Sequence, residues 1–545
     1  MDRRKFFTGF LTDNNAQLQS VALLGSTTGV SPYNGPWTKK EVGHLLRRTM
    51  FGAAYKDIDF FSNKSLTDTV DELLTVNTPP LPPLNYYGAD TGAAIGETWV
   101  NALNDTNANS NRRNSLLSWS IGNMINQQRT LEEKMVLFWL NHFGTSIQEY
   151  GDARYGYAHI STIRKHCLGN FKDLIRAITV DPAMLHFLNG YKNTKAKPDE
   201  NYGRELMELF TVGKDGGQKY SETDVKEAAK VLTGYRIISD KITYTFDPAK
   251  HDTGNKTFSD FYNNTIITGK SGADGEKELD DLLNMIFAKD EVALFICRKL
   301  YRFFVYYEID DAVETNVIKP MASIFKASGY KIAEPLRLLF KSEHFFDPYN
   351  LGAMIKPPVD LIIGITRETV MKFPDNSDLA TQYYMWRQYY VLSTYLQQQL
   401  FATPNVAGWQ AYYQEPNYHE LWISSVTLPF RNLVTDGMIY VGFKKNKNVV
   451  IIDTIDWLSQ YPDANDVDKV ILQINEHLLT HPLSANNIAL IKNIIMTGQT
   501  NPYYWTQIWN DYKNNPTDVN KKKLVTDKLQ SVIKYITSLE EYQLS

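Results

Sequence analysis

An arginine and two glutamates fall within five positions in the stretch Asn201-Tyr202-Gly203-Arg204-Glu205-Leu206-Met207-Glu208-Leu209-Phe210-Thr211. At about 100° per residue on a helix, Leu206, Met207, Leu209 and Phe210 share one arc, and Arg204, Glu205 and Glu208 share the other. Glu205 and Glu208, at i and i+3, can both reach one divalent cation, or one of them can act as a base beside an arginine that holds an anion. The structural alternative is an i, i+4 ion pair between Arg204 and Glu208. Neither glutamate has a histidine three residues on, which excludes the Glu-x-x-His pattern of carboxylate-bridged di-iron bundles.

Two further places concentrate reactive side chains. The run Phe246-Asp247-Pro248-Ala249-Lys250-His251-Asp252-Thr253-Gly254-Asn255-Lys256 crowds histidine, aspartate and lysine into a loop. His251 and Asp252 there are candidate metal ligands, and Lys256 is a candidate holder of an anionic oxygen; the alternative is a turn capped by Asp252. His142 lies on the apolar stripe of its segment beside Phe138 and Trp139, as a metal ligand, a general base or a core histidine with both ring nitrogens satisfied. His477 and His481 sit at i, i+4 behind Glu476, but the order is not His-Glu-x-x-His and Pro482 follows at once, so they read as residues of a last helical turn. Pro404-Asn405-Val406-Ala407-Gly408-Trp409, with Trp422, reads as an aromatic cluster in which Asn405, Trp409 and Trp422 could stack on a sugar, a ring or a partner surface.

The elements that must position these residues are mainly helical. Thr130-Leu131-Glu132-Glu133 reads as a capping box opening a helix that carries Met135, Phe138, Trp139 and His142. Helical periods recur around 174–188, 201–211, 224–232, 279–287, 293–305, 332–340, 359–370, 465–479 and 524–539. Tyr235 to Phe246 is the exception and predicts a β-hairpin about Ser239-Asp240-Lys241. Pro79-Pro80-Leu81-Pro82-Pro83 predicts a stiff extended insert, and 104–113 reads as a loop. The fold expected is a large multi-helix core with a small hairpin insertion and a helical C-terminal tail: an N-terminal segment over 1–35, a core over 36–440, and a further helical region over 441–545 that begins after the polar turn Lys444-Lys445-Asn446-Lys447-Asn448.

With 545 residues, 43% of them hydrophobic, the chain has ample apolar material for a packed interior. Its formal charge of −4 gives no electrostatic argument for nucleic acid. Two cysteines, Cys167 and Cys297, cannot build a thiolate zinc site. No run is apolar enough for a transmembrane segment. Arg3-Arg4 before Phe6-Phe7 is similar to a twin-arginine start, although Asp13 cuts the following apolar stretch short. That start predicts a periplasmic or cell-envelope protein, and a cytoplasmic one if it is not a signal. No nucleophile elbow, P-loop or dinucleotide fingerprint is present.

Several segments together resemble the domain of unknown function 1800 family: His44-Leu45-Leu46-Arg47-Arg48-Thr49-Met50-Phe51-Gly52, Phe138-Trp139-Leu140-Asn141-His142-Phe143, Gly169 to Leu174, Asp181 to Leu185, Asn201 to Gly213, Leu232-Thr233-Gly234, His251-Asp252 with Lys256, Arg298-Lys299-Leu300, Lys356-Pro357-Pro358 and Pro404 to Trp409. The resemblance spans about 36–440. It implies a bacterial cell-envelope protein and a partner, encoded in a neighbouring gene, that resembles phosphatases and sulfatases. Phe210 and Tyr235 stand where members commonly carry histidine and tryptophan.

Two functions fit. One is a metal-assisted hydrolase whose cleft joins the His142 helix, the Arg204–Glu208 helix and the His251–Asp252 loop around a divalent metal ion. The other is a non-catalytic binding or assembly module that docks a partner protein or glycan through an aromatic surface at Trp409 and Trp422.

Overall fold

The structure, a computed structural model, describes residues 28–545 apart from 215, 410–418, 420 and 421. The twin-arginine-like start lies outside the described residues. The chain is mainly helical, with small two-stranded antiparallel sheets. Its apolar core is continuous from Val42 to Tyr542, and the segment after residue 440 packs back onto it. Arg47 donates to the His477 carbonyl at 2.6 Å, and the Tyr542 hydroxyl donates to Glu368 at 3.0 Å. Among the described residues no helix is long and apolar enough to cross a membrane.

Local sequence explains where the helices begin and end. Lys39–Thr49 starts at Thr38, whose side chain and that of Glu41 form a reciprocal capping box. The box expected at Thr130 does not form. The helix runs Glu132–His142 from an uncapped Leu131, because Glu132 and Glu133 turn instead to Arg164, at 2.6 Å each. The expected helix over 174–188 is two helices, Phe171–Thr179 and Pro182–Phe187. Asp181 caps the second through the Ala183 and Met184 amides, and Pro182 occupies its first turn, where a missing N–H costs nothing. The polar run at 104–113 is a loop only in its first half, since a helix starts at Asn109; its exposed face is polar and its buried face carries Leu116, Ile121 and Met124.

The hairpin forms as expected, with Tyr235–Ile238 paired to Thr243–Phe246 in the register Tyr235↔Phe246. The polar run at 444–448 is itself a hairpin, Phe443–Lys445 with Asn448–Val450. Both cysteines are buried and free.

Candidate functional site

The sequence-predicted residues divide into separate groups. His142 is 1% exposed and fully engaged: Nε2 lies 3.1 Å from the Phe210 carbonyl and Nδ1 lies 3.0 Å from Lys299 Nζ. Burial, then the Lys299 charge, holds its pKa well below the ordinary imidazole value, so the ring is neutral and donates from Nε2. The Asn201–Thr211 segment is helical, but its second half, Leu206–Thr211, widens to a π-turn, with the Val212 amide reaching the Met207 carbonyl at 3.0 Å. Arg204 pairs not with Glu208 but with Glu222 at 2.7 Å and Glu200 at 3.2 Å. Glu208 pairs with Lys214 and accepts from the Tyr220 hydroxyl at 3.4 Å. Glu205 is half-buried, and burial followed by the Glu208 charge pushes its pKa up to about 7.

The His251 loop belongs to a different cluster. Lys256 and Glu278 are fully buried and joined at 2.6 Å, while His251 Nε2 stands 3.2 Å from the other Glu278 oxygen and Nδ1 2.9 Å from the Thr233 carbonyl. Glu278 also accepts the Lys270 amide at 2.6 Å. Burial raises the Glu278 pKa, but His251, Lys256 and that amide outweigh it and hold it below the ordinary carboxylate value. Asp252 accepts the Gly254 amide at 2.9 Å and lies 3.5 Å from Lys256. This network ties the 247–256 loop to the first turn of the Glu278–Phe287 helix. Glu278 was hidden in the sequence by its place in the acidic run Glu276-Lys277-Glu278-Leu279-Asp280-Asp281, which reads as an exposed first turn.

The expected cleft is therefore only partly assembled. The π-turn reaches His142 through Phe210, but the contacts of His251, Lys256 and Asp252 go to Glu278, Thr233, Gly254 and one another. Among the described residues no group of three or more His, Cys, Asp or Glu side chains is placed to hold a metal ion.

Trp409 and Trp422 lead elsewhere. They are 5% and 6% exposed, so they are walls of a pocket and not an aromatic surface. Asn405 builds the turn before Trp409: its Oδ1 accepts the Ala407 amide at 2.8 Å and its carbonyl accepts the Gly408 amide at 3.1 Å. Gly408 has φ +80°, and a Cβ there would lie 2.3 Å from Asn141 Oδ1, so only glycine lets the Trp409 amide reach that oxygen at 2.7 Å.

The pocket has a volume of about 40 Å³ and is lined by Arg47, Arg48, Lys134, Asp360, Tyr307 and the two tryptophans, among others. Five segments far apart in sequence bring these residues together, and Arg47, Arg48 and Trp409 come from motifs that carried the resemblance. Arg47 donates to the Glu476 and His477 carbonyls, and Arg48 donates to the Asn350 carbonyl at 3.1 Å. Lys134 pairs with Asp360. Arg431 and Lys356 lie behind the pocket, joined by a 2.9 Å bond from Arg431 Nη2 to the Lys356 carbonyl. Burial lowers the pKa of Lys356 to about 8 and that of Arg431 to about 10. Arg47 Nε, Trp422 Nε1 and Asp360 Oδ2 are buried without a hydrogen-bond partner. The sequence signal for this site was a cation or carboxylate set inside otherwise apolar windows, as in Lys134-Met135-Val136-Leu137-Phe138 and Val359-Asp360-Leu361-Ile362-Ile363.

A wider, open cleft of about 890 Å³ lies between Arg129, Arg367, Phe373 and Trp386. There the Asp57 carboxylate holds both Arg129 and Arg367, at 2.9 and 3.1 Å.

The sequence pattern of a family described as "Protein of unknown function (DUF1800)" matches residues 44–544. No curated protein and no solved structure matches the chain.

Proposed function

The chain belongs to the DUF1800 family, whose description carries no activity, and from that premise we propose that it is a ligand-binding protein whose site is the pocket between Arg47, Arg48, Lys134, Asp360, Trp409 and Trp422. One observation carries the reading. Arg47 Nε, Trp422 Nε1 and Asp360 Oδ2, each buried without a hydrogen-bond partner, belong to residues that line this one pocket, whereas His142 of the expected hydrolytic cleft is engaged by the Phe210 carbonyl and Lys299, and Lys256 by Glu278. A cell-envelope setting goes with this reading, on the strength of the Arg3-Arg4 start.

Tryptophan fluorescence and thermal unfolding of the purified chain, titrated with a panel of neutral sugars, aromatic acids and small inorganic anions, test it. The expected result is a saturable response to one class that is lost in Trp409→Ala and kept in Glu205→Gln. Loss in Glu205→Gln with no change in Trp409→Ala would overturn it.

Metal-assisted hydrolysis is the second reading. It is favoured by Glu205, whose pKa near 7 suits a general acid or base. Stoichiometric metal retained through purification, and lost in a folded His251→Ala or Glu205→Gln protein, would support it over binding alone.

A further inference from the structure

We propose that the outward face of the Thr427–Tyr440 helix, with the lysine-bearing hairpin that follows it, docks on the surface of an anionic lipid bilayer. Docking there does not depend on what the pocket binds. Between Val426 and Val441 the chain has two charged residues, Arg431 and Asp436. Arg431 is buried, with Nε donating to Gln543 at 2.7 Å and Nη2 to the Lys356 carbonyl at 2.9 Å, and so fixes which side of the helix faces out. Asp436 pairs with Lys534 at 2.8 Å. At about 100° per residue, Val426, Pro429, Leu433, Gly437, Tyr440 and Val441 share the outward arc. Val426, Leu433 and Val441 are 72, 63 and 57% exposed. A helix on the surface of a soluble protein turns polar residues outward, and one that is apolar on both sides has a second face to cover.

The stripe continues beyond the helix at both ends. Tyr395, itself exposed, meets the half-buried Phe430 ring at 5.9 Å. At the other end a Cβ on Gly442 would lie 3.0 Å from the Val449 side chain, which is also exposed. Here the charge enters. Lys444 stands directly across from Val449 in the hairpin register, so a cation and an exposed apolar side chain share one face. Lys444 and Lys447 take part in no ion pair among the described residues. Lys445 lies over the Tyr384 ring at 4.6 Å and Lys534 over the Tyr440 ring at 5.8 Å. No carboxylate side chain falls between Gly437 and Ile452. The complement of this surface is apolar and negatively charged at its rim.

Two features favour a bilayer over a protein as the occupant. The six residues of the outward arc offer no hydrogen-bonding side chain except Tyr440, whereas a protein interface carries about one hydrogen bond per 100–200 Å². A fluid acyl boundary asks for none. Tyr395 and Tyr440 stand toward the two ends of the aliphatic stripe, where their rings suit the headgroup level and the neighbouring lysines reach lipid phosphates. Among the described residues no helix is long and apolar enough to cross a membrane, so this helix lies on the surface with its apolar side down.

The test is flotation of the full chain with vesicles at physiological ionic strength, comparing phosphatidylcholine alone with phosphatidylcholine containing one third phosphatidylglycerol. Binding to the anionic vesicles is expected, about tenfold or more tighter than to the neutral ones. Val426→Ser combined with Leu433→Ser is expected to weaken it about tenfold or more. Lys444→Gln combined with Lys447→Gln is expected to weaken it about fivefold or more. Leu103→Ser, at an exposed leucine outside the stripe, is expected to leave it unchanged. Circular dichroism checks that each variant is folded. Absence of binding to either vesicle, equal binding to both, affinity unchanged in either double variant, or the same loss in Leu103→Ser would each overturn the proposal. Self-association that Val426→Ser with Leu433→Ser abolishes, without vesicle binding, also overturns it and assigns the face to a second copy of the chain.

Discussion

Around Glu278 and around Asp360 the protein buries the same kinds of side chain to opposite ends. Glu278 meets Lys256 at 2.6 Å, His251 at 3.2 Å and the Lys270 amide at 2.6 Å, so both of its oxygens are engaged. Asp360 meets Lys134 through one oxygen, keeps the other without a hydrogen-bond partner, and shares its pocket with Arg47 and Arg48. Polar residues in odd places are therefore a poor guide to chemistry by themselves. What separates a structural network from a site is the balance of charge and of donors against acceptors once the residues are folded together.

The comparison breaks most sharply at Glu278. Replacing Glu278 by alanine strands Lys256 and His251 in a region with no exposure, and is expected to lower stability by about 3–5 kcal/mol, the usual cost of removing one partner of a buried ion pair. Urea unfolding measures this, and a loss below about 1 kcal/mol would show that the network is not structural. The ligand response of whatever fraction stays folded is expected to be unchanged.

Gly408→Ala acts on the other region. A Cβ at φ +80° and 2.3 Å from Asn141 Oδ1 must displace the Trp409 amide from its acceptor. The expected cost is about 1–3 kcal/mol of stability. Ligand affinity should fall with it, read by calorimetry beside the unfolding curve. Affinity intact in a destabilised protein would detach Trp409 from the site.

The smallest effect is expected at Glu205, which belongs to neither network. Its folded pKa of about 7 lies above its ordinary value of 4.5, so the fold binds the extra proton. The resulting stability is fully present below pH 4.5 and is lost as pH rises through about 7. Glu205→Gln should therefore gain on the native protein between pH 5 and pH 8, by on the order of 1 kcal/mol once partial exposure is discounted. Thermal unfolding at the two pH values checks this, and parallel curves would contradict it.

The sequence carried the helical class, the 235–246 hairpin and most helix positions, because each rests on local periodicity or turn chemistry. Its errors have local causes too. Glu133 left its capping role for Arg164, a residue 31 positions away that no spacing reveals. Asp181-Pro182 broke one expected helix into two, a start signal overshadowed by the apolar period running through it. At the level of the site, Trp409, Trp422 and the Arg47-Arg48 motif were visible as residues, but their meeting with Lys134 and Asp360 depends on packing between segments hundreds of positions apart. The pairing of His251 with Glu278 instead of Glu205 was equally out of reach of spacing.

Ligand titration of the purified chain followed by tryptophan fluorescence, with Trp409→Ala and Glu278→Ala proteins beside the native one, tests the central claim most directly. The account predicts a saturable response that is lost in Trp409→Ala and kept by the folded fraction of Glu278→Ala. A response lost in Glu278→Ala and kept in Trp409→Ala would contradict it.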